Sequence, residues 1–441
     1  MDTIVARATP PGRGGVAIVR VSGPDAWRIA EQVCGRLPEP RLATFTHFTD
    51  EQQRAIDSGI VLYFPGPASF TGEDVLELQG HGGPVVCELL IERILALGAR
   101  MAGPGEFARR AFLNDKLDLS QAEAIADLID SGSRAAARAA TRSLDGAFSA
   151  AVMALNEKVT ELRVFVEAAI DFPDEEIDFL DDAALRERLD DVNAEFEQLE
   201  KTVNNGRLLR DGIQLVLAGR PNAGKSSLLN ALTGSDTAIV TDVPGTTRDV
   251  IREYIDIDGL PVHLVDTAGL RAGEGVVEQE GVRRARAQLA AADYALLVVD
   301  TTSNDDVASI LAELPEDLPH TIVRNKTDLS GAPTGSIDED VIGVSALTGA
   351  GIDDLRRHIK CRVGFDSAGE GMMTARQRHV DRLRAARAHF EAGRTQLLEH
   401  KAGELMADEL LQVQNALAEI TGEFSSDDLL GEIFGSFCLG K

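Results

Sequence analysis

The chain has 441 residues, a formal net charge of −28 and a mean hydropathy of −0.07. Its length predicts about three domains, and its negative charge excludes a protein that coats nucleic acid by bulk electrostatic attraction. No apolar run approaches the ~20 residues that span a bilayer. The N-terminus, Met1-Asp2-Thr3-Ile4, lacks the basic and apolar regions of a signal peptide. We therefore expect a cytoplasmic protein without a membrane partner.

The four cysteines form no Cys-x-x-Cys pair, so neither a zinc site nor a disulfide framework is expected. Cys34, Cys87 and Cys361 are predicted to be small core residues. Cys438 differs from them, because it lies near the C-terminus in Phe-Cys-Leu-Gly-Lys.

Residues 1 to about 115 mix β-rich runs with Gly/Pro turns. Val16–Val21, Val61–Phe64 and Val75–Gln79 predict strands, and residues 84–97 predict a helix with a proline in its first turn. This pattern indicates a small α+β domain.

Residues 119–206 and 371 to about 420 are rich in Ala, Glu, Leu and Arg, with apolar spacings of three and four, which predicts long helices. An arginine cluster lies in the second stretch. On charge patterning, a solvated helix face is favoured over an RNA contact. The cluster consists of Arg376, Arg378, Arg382, Arg384 and Arg387.

Strands and helices alternate between these helical stretches. Four apolar runs predict buried parallel strands of a doubly wound α/β domain; they are Ile213–Ala218, Val262–Val265, Ala295–Val299 and Thr321–Val323. Insertion of this domain into one discontinuous helical domain is the simplest architecture, because the ends of compact domains often lie close together.

A complete phosphate-binding motif, G-x-x-x-x-G-K-[S/T], follows the first of these strands at residues 219–226. Its glycines let backbone N–H groups converge on phosphate oxygens at a helix N-terminus. Lys225 is expected to reach the β and γ phosphates, and Ser226 to bind Mg²⁺. The GTP-binding residues predicted here are Asn222, Ala223, Gly224, Lys225, Ser226 and Ser227.

Three later motifs follow strands in the order typical of a GTPase. In the first motif, at residues 266–269, the Asp can hold Mg²⁺ through water and the Gly N–H can contact the γ-phosphate. In the second motif, at residues 325–328, the Asp carboxylate can accept hydrogen bonds from guanine N1–H and the N2 amine, which selects GTP over ATP. The third supports the base through its backbone. The motifs are Asp266-Thr267-Ala268-Gly269, Asn325-Lys326-Thr327-Asp328 and Ser345-Ala346-Leu347.

Hydrolysis requires a group that orients water, yet Leu270 stands where Ras-like enzymes have a glutamine. Arg248, Arg252 and Arg271 are candidate arginine fingers, although an arginine in such a segment more often makes a surface salt bridge. Asn222 and the loop over residues 241–249 offer oxygen ligands, which suit a hard monovalent cation beside the phosphates.

The chain resembles the MnmE (TrmE) family over essentially its whole length. The phosphate-binding motif with Pro-Gly-Thr-Thr-Arg-Asp at 244–249 is shared with the Era and Der GTPases. Other motifs are not shared with them: Pro-Pro-Gly-Arg-Gly-Gly at 10–15, Phe-Thr-Gly-Glu-Asp at 70–74, Gln-Gly-His-Gly-Gly at 79–83, Pro-Gly-Glu-Phe at 104–107, residues 111–119 and the terminal Cys-x-Gly-Lys. Leu439 departs from the usual isoleucine of that tail, a swap that conserves volume.

The resemblance implies a potassium-dependent GTPase whose G domains associate when K⁺ and GTP are bound. Asn222, Thr241, Val243 and Thr246 would hold K⁺, and Thr247 would complete the Mg²⁺ shell with Ser226. Glu278 matches the family's water-orienting glutamate; from the residues alone, a solvated acid is favoured. The implied GTP-binding loop consists of Thr241, Asp242, Val243, Pro244, Gly245, Thr246 and Thr247.

The resemblance also implies a folate-binding N-terminal domain that dimerises and uses 5-formyltetrahydrofolate or another tetrahydrofolate one-carbon derivative. Arg20, Glu77, Lys116 and Lys441 match the folate contacts, although Arg20 and Glu77 could equally be surface residues on strands. Cys438 would lie near the folate, either as a catalytic thiol or as an inert one.

The implied fold is multidomain: a folate-binding-like α+β domain (1–116), an all-α helical domain in two parts (117–211 and 365–441) and an inserted Ras-like P-loop G domain (212–364). The implied partners are a second copy of the chain, the flavoprotein MnmG (GidA) and tRNA, whose wobble uridine would receive an aminomethyl or carboxymethylaminomethyl group at C5. Two alternatives stay open: a ribosome-assembly GTPase of the Era/Der type, and a regulatory switch without chemistry of its own.

Overall fold

The computed structural model describes residues 2–171, 183–233, 254–265, 292–303, 307–312, 314–365, 371–423, 427–437 and 440. Two compact units divide the chain. The first comprises residues 1–126, 144–174 and 389–441, and the second comprises residues 127–143 and 175–388. Within the described parts, no helix is both long and apolar enough to cross a membrane.

A six-stranded sheet of order β3-β4-β5-β2-β1-β6 forms the N-terminal part of the first unit. Its strand pairs are antiparallel except for β1 with β6. The elements are β1 (Ile4–Arg7), β2 (Gly14–Ser22), α1 (Ala26–Cys34), β3 (Thr44–Thr49), β4 (Ala55–Phe64), β5 (Val75–Gly82), α2 (Pro84–Ala96), β6 (Arg100–Met101) and α3 (Glu106–Leu113). The predicted strands and helix of this domain are confirmed.

The two faces of this sheet differ because side chains alternate along each strand. Val19, Val21, Leu76 and Leu78 are buried against α1 and α2 and form the core. The alternate residues of β2 and β5 lie on the other face, where Phe107 of α3 packs near β1. This second face is only half-buried over β2 and β5, and it carries two of the predicted site residues.

Long helices follow, as the apolar spacing predicts. They are α4 (Leu119–Asp130), α5 (Arg134–Leu144), α6 (Ala147–Asp171) and α7 (Ala183–Asp211), and later α12 (Gln377–His400), α13 (Gly403–Thr421) and α14 (Asp427–Gly435). In the first unit α6 packs on α13, where Arg163 and Thr160 both hydrogen-bond Gln414.

The second unit contains a seven-stranded sheet of order β12-β13-β11-β10-β7-β9-β8, parallel except at its two edges. Leu215 and Val216 of the central β7 are buried in separate clusters, so both faces of that strand are covered. The elements are β7 (Ile213–Ala218), α8 (Lys225–Thr233), β8 (Tyr254–Ile257), β9 (Leu260–Val265), β10 (Tyr294–Asp300), α9 (Val307–Leu311), β11 (His320–Asn325), α10 (Thr327–Ser330), β12 (Gly335–Asp338), β13 (Val341–Gly343) and α11 (Ile352–Arg362).

Two predictions about single side chains are wrong. Cys361 is exposed, whereas Cys34 and Cys87 are buried as expected; α11 is amphipathic, and Cys361 follows the buried Ile359 onto its solvent side. The arginine cluster is not uniformly solvated either, contrary to the prediction. Arg376 donates to the buried Asp127 (2.7 Å), and Arg387 lies over the Phe196 ring. These two arginines therefore stabilise the second unit.

Candidate functional site

The phosphate-binding loop leaves the carboxyl end of β7 and enters α8 at Lys225. Gly219 has a φ of 149°, and a Cβ there would lie 2.4 Å from the Val298 carbonyl oxygen. Gly224 has a φ of 91°, and its Cβ would lie 2.3 Å from Asn325 Nδ2. Both glycines are therefore required by the close approach of neighbouring strands as well as by backbone conformation.

The lysine of this loop folds over the loop backbone. Lys225 Nζ donates hydrogen bonds to the carbonyl oxygens of Gly219 (2.8 Å) and Arg220 (2.9 Å). Ser226 and Ser227 lie exposed in the first turn of α8, where helix N–H groups and the helix dipole favour an anion. This arrangement suits a polyphosphate, and Ser226, the predicted Mg²⁺ ligand, lies at the same helix end.

Asn325 joins three of the predicted motifs. Its side chain is buried, donates to the Ala223 carbonyl oxygen (3.0 Å) and accepts from the Ala346 N–H (3.1 Å). One amide group therefore fixes the phosphate loop, the end of β11 and the loop after β13 relative to each other.

Asp328 lies on the solvent side of these Asn325 contacts. Its Oδ1 accepts a hydrogen bond from the buried Ser345 hydroxyl (2.6 Å), while the residue itself is exposed. A carboxylate held in this way can accept two hydrogen bonds from the N1–H and N2 amine edge of guanine. Leu347, 85% exposed, lies in the neighbouring loop, beside the base position that the motif predicts.

Two further residues join this site that the motif search did not include. Asp300 ends β10 and binds Lys326 Nζ at 2.6 Å. Burial raises the pKa of Asp300, but the hydrogen bonds from Lys326 and Thr302 outweigh it and the pKa lies below its ordinary value. Thr301 Oγ1 donates to the carbonyl oxygens of Asn325 and Lys326. The signal was present, since Asp-Thr directly follows an apolar strand at the ligand-binding edge of the sheet.

The remaining nucleotide and cation residues lie outside the described part of the chain. The structure therefore neither places nor excludes the predicted switch loop, the Asp-Thr-Ala-Gly motif or the water-orienting glutamate. These residues are Thr241, Asp242, Val243, Pro244, Gly245, Thr246, Thr247, Asp266, Thr267, Ala268, Gly269 and Glu278.

A second candidate site lies on the half-open face of the N-terminal sheet. Arg20 and Glu77 face each other directly across β2 and β5 and form an ion pair of 2.9 Å. The Arg20 guanidinium lies 5.7 Å from the ring centroids of Phe70 and Phe107. The structure thus brings together a cation, a carboxylate and two aromatic rings, one of which, Phe70, is 38% exposed.

The chain terminus lies in the same unit as this face. A Cβ on Gly440 would lie 2.2 Å from the Arg7 carbonyl oxygen, and Arg7 is adjacent to Ala6, the register partner of Arg20. Lys116 lies exposed in the segment after α3. Lys441 and Cys438 lie outside the described residues, so their distances to Arg20 are not defined.

Two family models match the chain. The model described as MnmE helical domain matches residues 119–438, and that described as GTP-binding protein TrmE N-terminus matches residues 3–116. The match to a TrmE N-terminus distinguishes the chain from the Era/Der alternative.

Solved structures that resemble the chain include the G domain of the Thermotoga maritima FeoB iron transporter, with 26% identity over 33% of this chain and 96% of that one. Aquifex aeolicus Era matches with 24% identity over 40% and 66%. A Sulfolobus solfataricus GTP-binding protein bound to GDP matches with 21% identity over 48% and 66%. Their TM-scores are 0.25, 0.26 and 0.26.

Proposed function

The chain belongs to the MnmE (TrmE) family of tRNA-modification GTPases, and from this premise we propose how it works. It hydrolyses GTP with Mg²⁺ when two G domains associate around K⁺. Together with an FAD-dependent MnmG (GidA) partner, it installs an aminomethyl or carboxymethylaminomethyl group at C5 of the tRNA wobble uridine in the cytoplasm. A tetrahydrofolate derivative bound by the N-terminal domain supplies the one-carbon unit.

The observation that supports this proposal is a candidate guanine-nucleotide site with fixed side chains, in a sequence that lacks the water-orienting glutamine. Asn325 and Asp328 are held in place by hydrogen bonds to protein groups, whereas Leu270 occupies the position of the glutamine. Asn222 lies exposed on the phosphate loop with a left-handed φ of 64°. Its side-chain oxygen can serve as a ligand of a hard cation beside the phosphates, where the positive charge offsets charge that develops in the transition state.

The half-open sheet face supports the folate component. A pterin presents a hydrogen-bonding N–H edge to a carboxylate such as Glu77, and its glutamate tail presents a carboxylate to cations such as Arg20, Lys116 and Lys441. Arg20 and Glu77 are paired with each other here, so we propose that ligand binding exchanges part of this ion pair for contacts with the folate.

Apolar residues on the edge of this sheet support homodimerisation. Phe45 of the edge strand β3 is 69% exposed and lies opposite Ile60 of β4, which is 41% exposed. An edge strand with exposed apolar side chains can pair with another chain. We propose that a second copy covers them.

A GTPase assay across monovalent cations tests the mechanism. We expect faster GTP turnover in KCl than in NaCl at equal ionic strength, and a turnover per chain that rises with protein concentration. Asn222→Ala is expected to abolish the difference between KCl and NaCl. Asn230→Ala, an exposed asparagine on α8, serves as the matched control. Equal rates in the two salts with the wild-type chain would remove the cation mechanism.

Wobble-uridine analysis in a strain that lacks the gene separates the modification role from a pure switch. Loss of the C5 substituent, with recovery on complementation, is the expected result. Normal modification in the deletion strain would favour the switch.

A further inference from the structure

A residue with left-handed backbone conformation stands in the middle of the predicted guanine motif. Lys326 has a φ of 65° and a ψ of 36°, a conformation that residues with a Cβ rarely adopt. Strained residues of this kind persist only where the surrounding structure holds them, and they are concentrated at ligand-binding sites. The contacts that hold Lys326 therefore bear on nucleotide binding.

The backbone of this residue is held by Thr301, which directly follows β10. Thr301 Oγ1 donates to two successive carbonyl oxygens, those of Asn325 (2.9 Å) and Lys326 (3.0 Å). In an extended strand, successive carbonyl groups point in opposite directions, so one hydroxyl can reach both only where the chain turns between them. Ser330 Oγ donates to Thr301 Oγ1 (2.8 Å) and fixes the orientation of the hydroxyl.

The side chain of the same lysine is held by Asp300, the last residue of β10. Lys326 Nζ lies 2.6 Å from Asp300 Oδ2, and the Asp300 side chain is 14% exposed. Asp300 Oδ1 accepts hydrogen bonds from the Thr302 N–H (2.9 Å) and the Thr302 hydroxyl (2.7 Å). The carboxylate is thus fixed by its own turn, so it can fix the lysine in its place.

These contacts also hold the helix that carries the candidate base-reading carboxylate. α10 has four residues, fewer than an isolated helix needs to form in water. The Lys326 carbonyl oxygen accepts both the Thr301 hydroxyl and the Leu329 N–H of this helix. Asp328 lies in the same turn, and Ser345 binds its Oδ1. The position of the Asp328 carboxylate therefore depends on Thr301 through one shared carbonyl group.

We propose that Thr301 and Asp300 are positioning residues for guanine selection, which place the Asp328 carboxylate by holding the residue before its helix. This inference rests on the proposed function, in which Asp328 accepts hydrogen bonds from guanine N1–H and the N2 amine. Two hydrogen bonds to one planar base require the carboxylate to lie in the plane of that base. When the Thr301 hydroxyl is lost, the carboxylate moves out of this plane, and guanine loses its advantage over hypoxanthine, which has no N2 amine.

Binding of GDP and inosine diphosphate to the full chain tests the proposal, because the two nucleotides differ only in the N2 amine and neither is hydrolysed. Thr301→Val replaces the hydroxyl with a methyl group. We expect this variant to weaken GDP binding by about 3- to 10-fold, the contribution of one neutral hydrogen bond. Binding of inosine diphosphate should change less, so the ratio of the two dissociation constants should approach 1. Thr301→Ser retains the hydroxyl and should restore the wild-type ratio.

Asp300→Asn provides a second variant that does not alter Thr301. An amide has one acceptor oxygen instead of two, so either Lys326 or Thr302 loses its acceptor. The ratio of dissociation constants should therefore change in the same direction as in Thr301→Val. In a GTPase assay both variants should raise KM and leave kcat unchanged, because contacts with the base are the same in the ground state and the transition state.

Thr202→Val and Asp317→Asn are the matched controls. Thr202 Oγ1 donates to a carbonyl oxygen within α7 (2.9 Å), and Asp317 is exposed, so both variants should keep the wild-type dissociation constants. Unchanged GDP affinity in Thr301→Val would overturn the proposal, as would GDP and inosine diphosphate affinities that fall by the same factor. A wild-type chain that does not prefer GDP would instead refute the guanine site of the proposed function, and the inference with it.

Discussion

At the scale of single residues, hydrogen bonds between protein groups organise the candidate nucleotide site. The Asn325 amide donates to Ala223 and accepts from Ala346, while Asp328 uses one carboxylate oxygen for Ser345 and is otherwise exposed. These contacts support the proposal that Asp328 selects the base, and they show that Asn325 holds the phosphate loop and the loop after β13 together.

Asp328→Asn should weaken GTP binding by about 10- to 100-fold, because hydrogen bonds to a charged group contribute about 1.5–3 kcal/mol. The amide also presents an N–H where guanine offers donors, so preference should move toward xanthine nucleotides, which carry an acceptor there. Competition binding with GTP and XTP measures the change. Asp353→Asn, at an exposed aspartate on α11, should leave selectivity unchanged. Unaltered selectivity in Asp328→Asn would refute the assignment.

Sequence patterns predicted that these residues follow strands of one sheet, because motif spacing after a strand determines which side chains meet at the carboxyl edge of a parallel sheet. Their roles in nucleotide binding stay predictions. They did not predict that Arg20 and Glu77 pair with each other, since cross-strand partners depend on a register set by distant turns. The burial of Asp127 beneath Arg210 and Arg376 was also missed. Three separate segments converge there, and none carries a local signal.

At the scale of elements, the connection from α7 to β7 is a sharp corner at Gly212. Its φ is 69°, and a Cβ would lie 2.7 Å from the Pro261 carbonyl oxygen. The Asp211 carbonyl oxygen lies 3.2 Å from His263 Nε2. Since β7 and β9 are parallel neighbours, this corner sets their relative position, and β7 runs directly into the phosphate loop.

Gly212→Ala should therefore destabilise the protein by more than the ~1–2 kcal/mol of a left-handed backbone conformation alone. Gly331→Ala measures the cost of the left-handed backbone conformation alone, because Gly331 has nearly the same φ, 68°, with no atom within 4 Å of its Cβ position. Thermal unfolding should show a larger decrease in Tm for Gly212→Ala, accompanied by weaker GTP binding. Equal decreases in the two variants would show that the corner tolerates the extra atom.

At the scale of the whole molecule, the net charge of −28 makes the placement of the basic residues important for stability. Arg110, with only 4% of its side chain exposed, binds Glu73 (2.9 Å), Glu106 (3.0 Å) and Asp2 (2.9 Å) in the N-terminal part of the chain. Arg100 adds a second contact to Glu106 at 2.6 Å. Acidic residues are therefore stabilising in this network, although across the chain as a whole they repel each other.

This network predicts how acid destabilises the protein. Burial raises the pKa of Glu106, but hydrogen bonds from Arg100, the Gly103 N–H and Arg110 outweigh it and lower the pKa from 4.5 to about 2. A carboxylate whose pKa is lowered by folding stabilises the folded state. This stabilisation is fully present above pH 4.5, the pKa in the unfolded chain, and is lost as pH falls through about 2.

Glu106→Gln should therefore lower the free energy of unfolding at pH 6 by about 2 kcal/mol. The difference in unfolding free energy between wild type and variant should become smaller as pH falls from 4.5 toward 2. Trp27, the only tryptophan, lies on α1 and reports unfolding of the same unit by fluorescence in urea. Glu39→Gln, at an exposed glutamate, removes one negative charge without touching the network. A gap that stays constant from pH 6 to pH 3 would show that Glu106 gains nothing from its arginines, because only ionisation of the paired carboxylate connects its stability to pH.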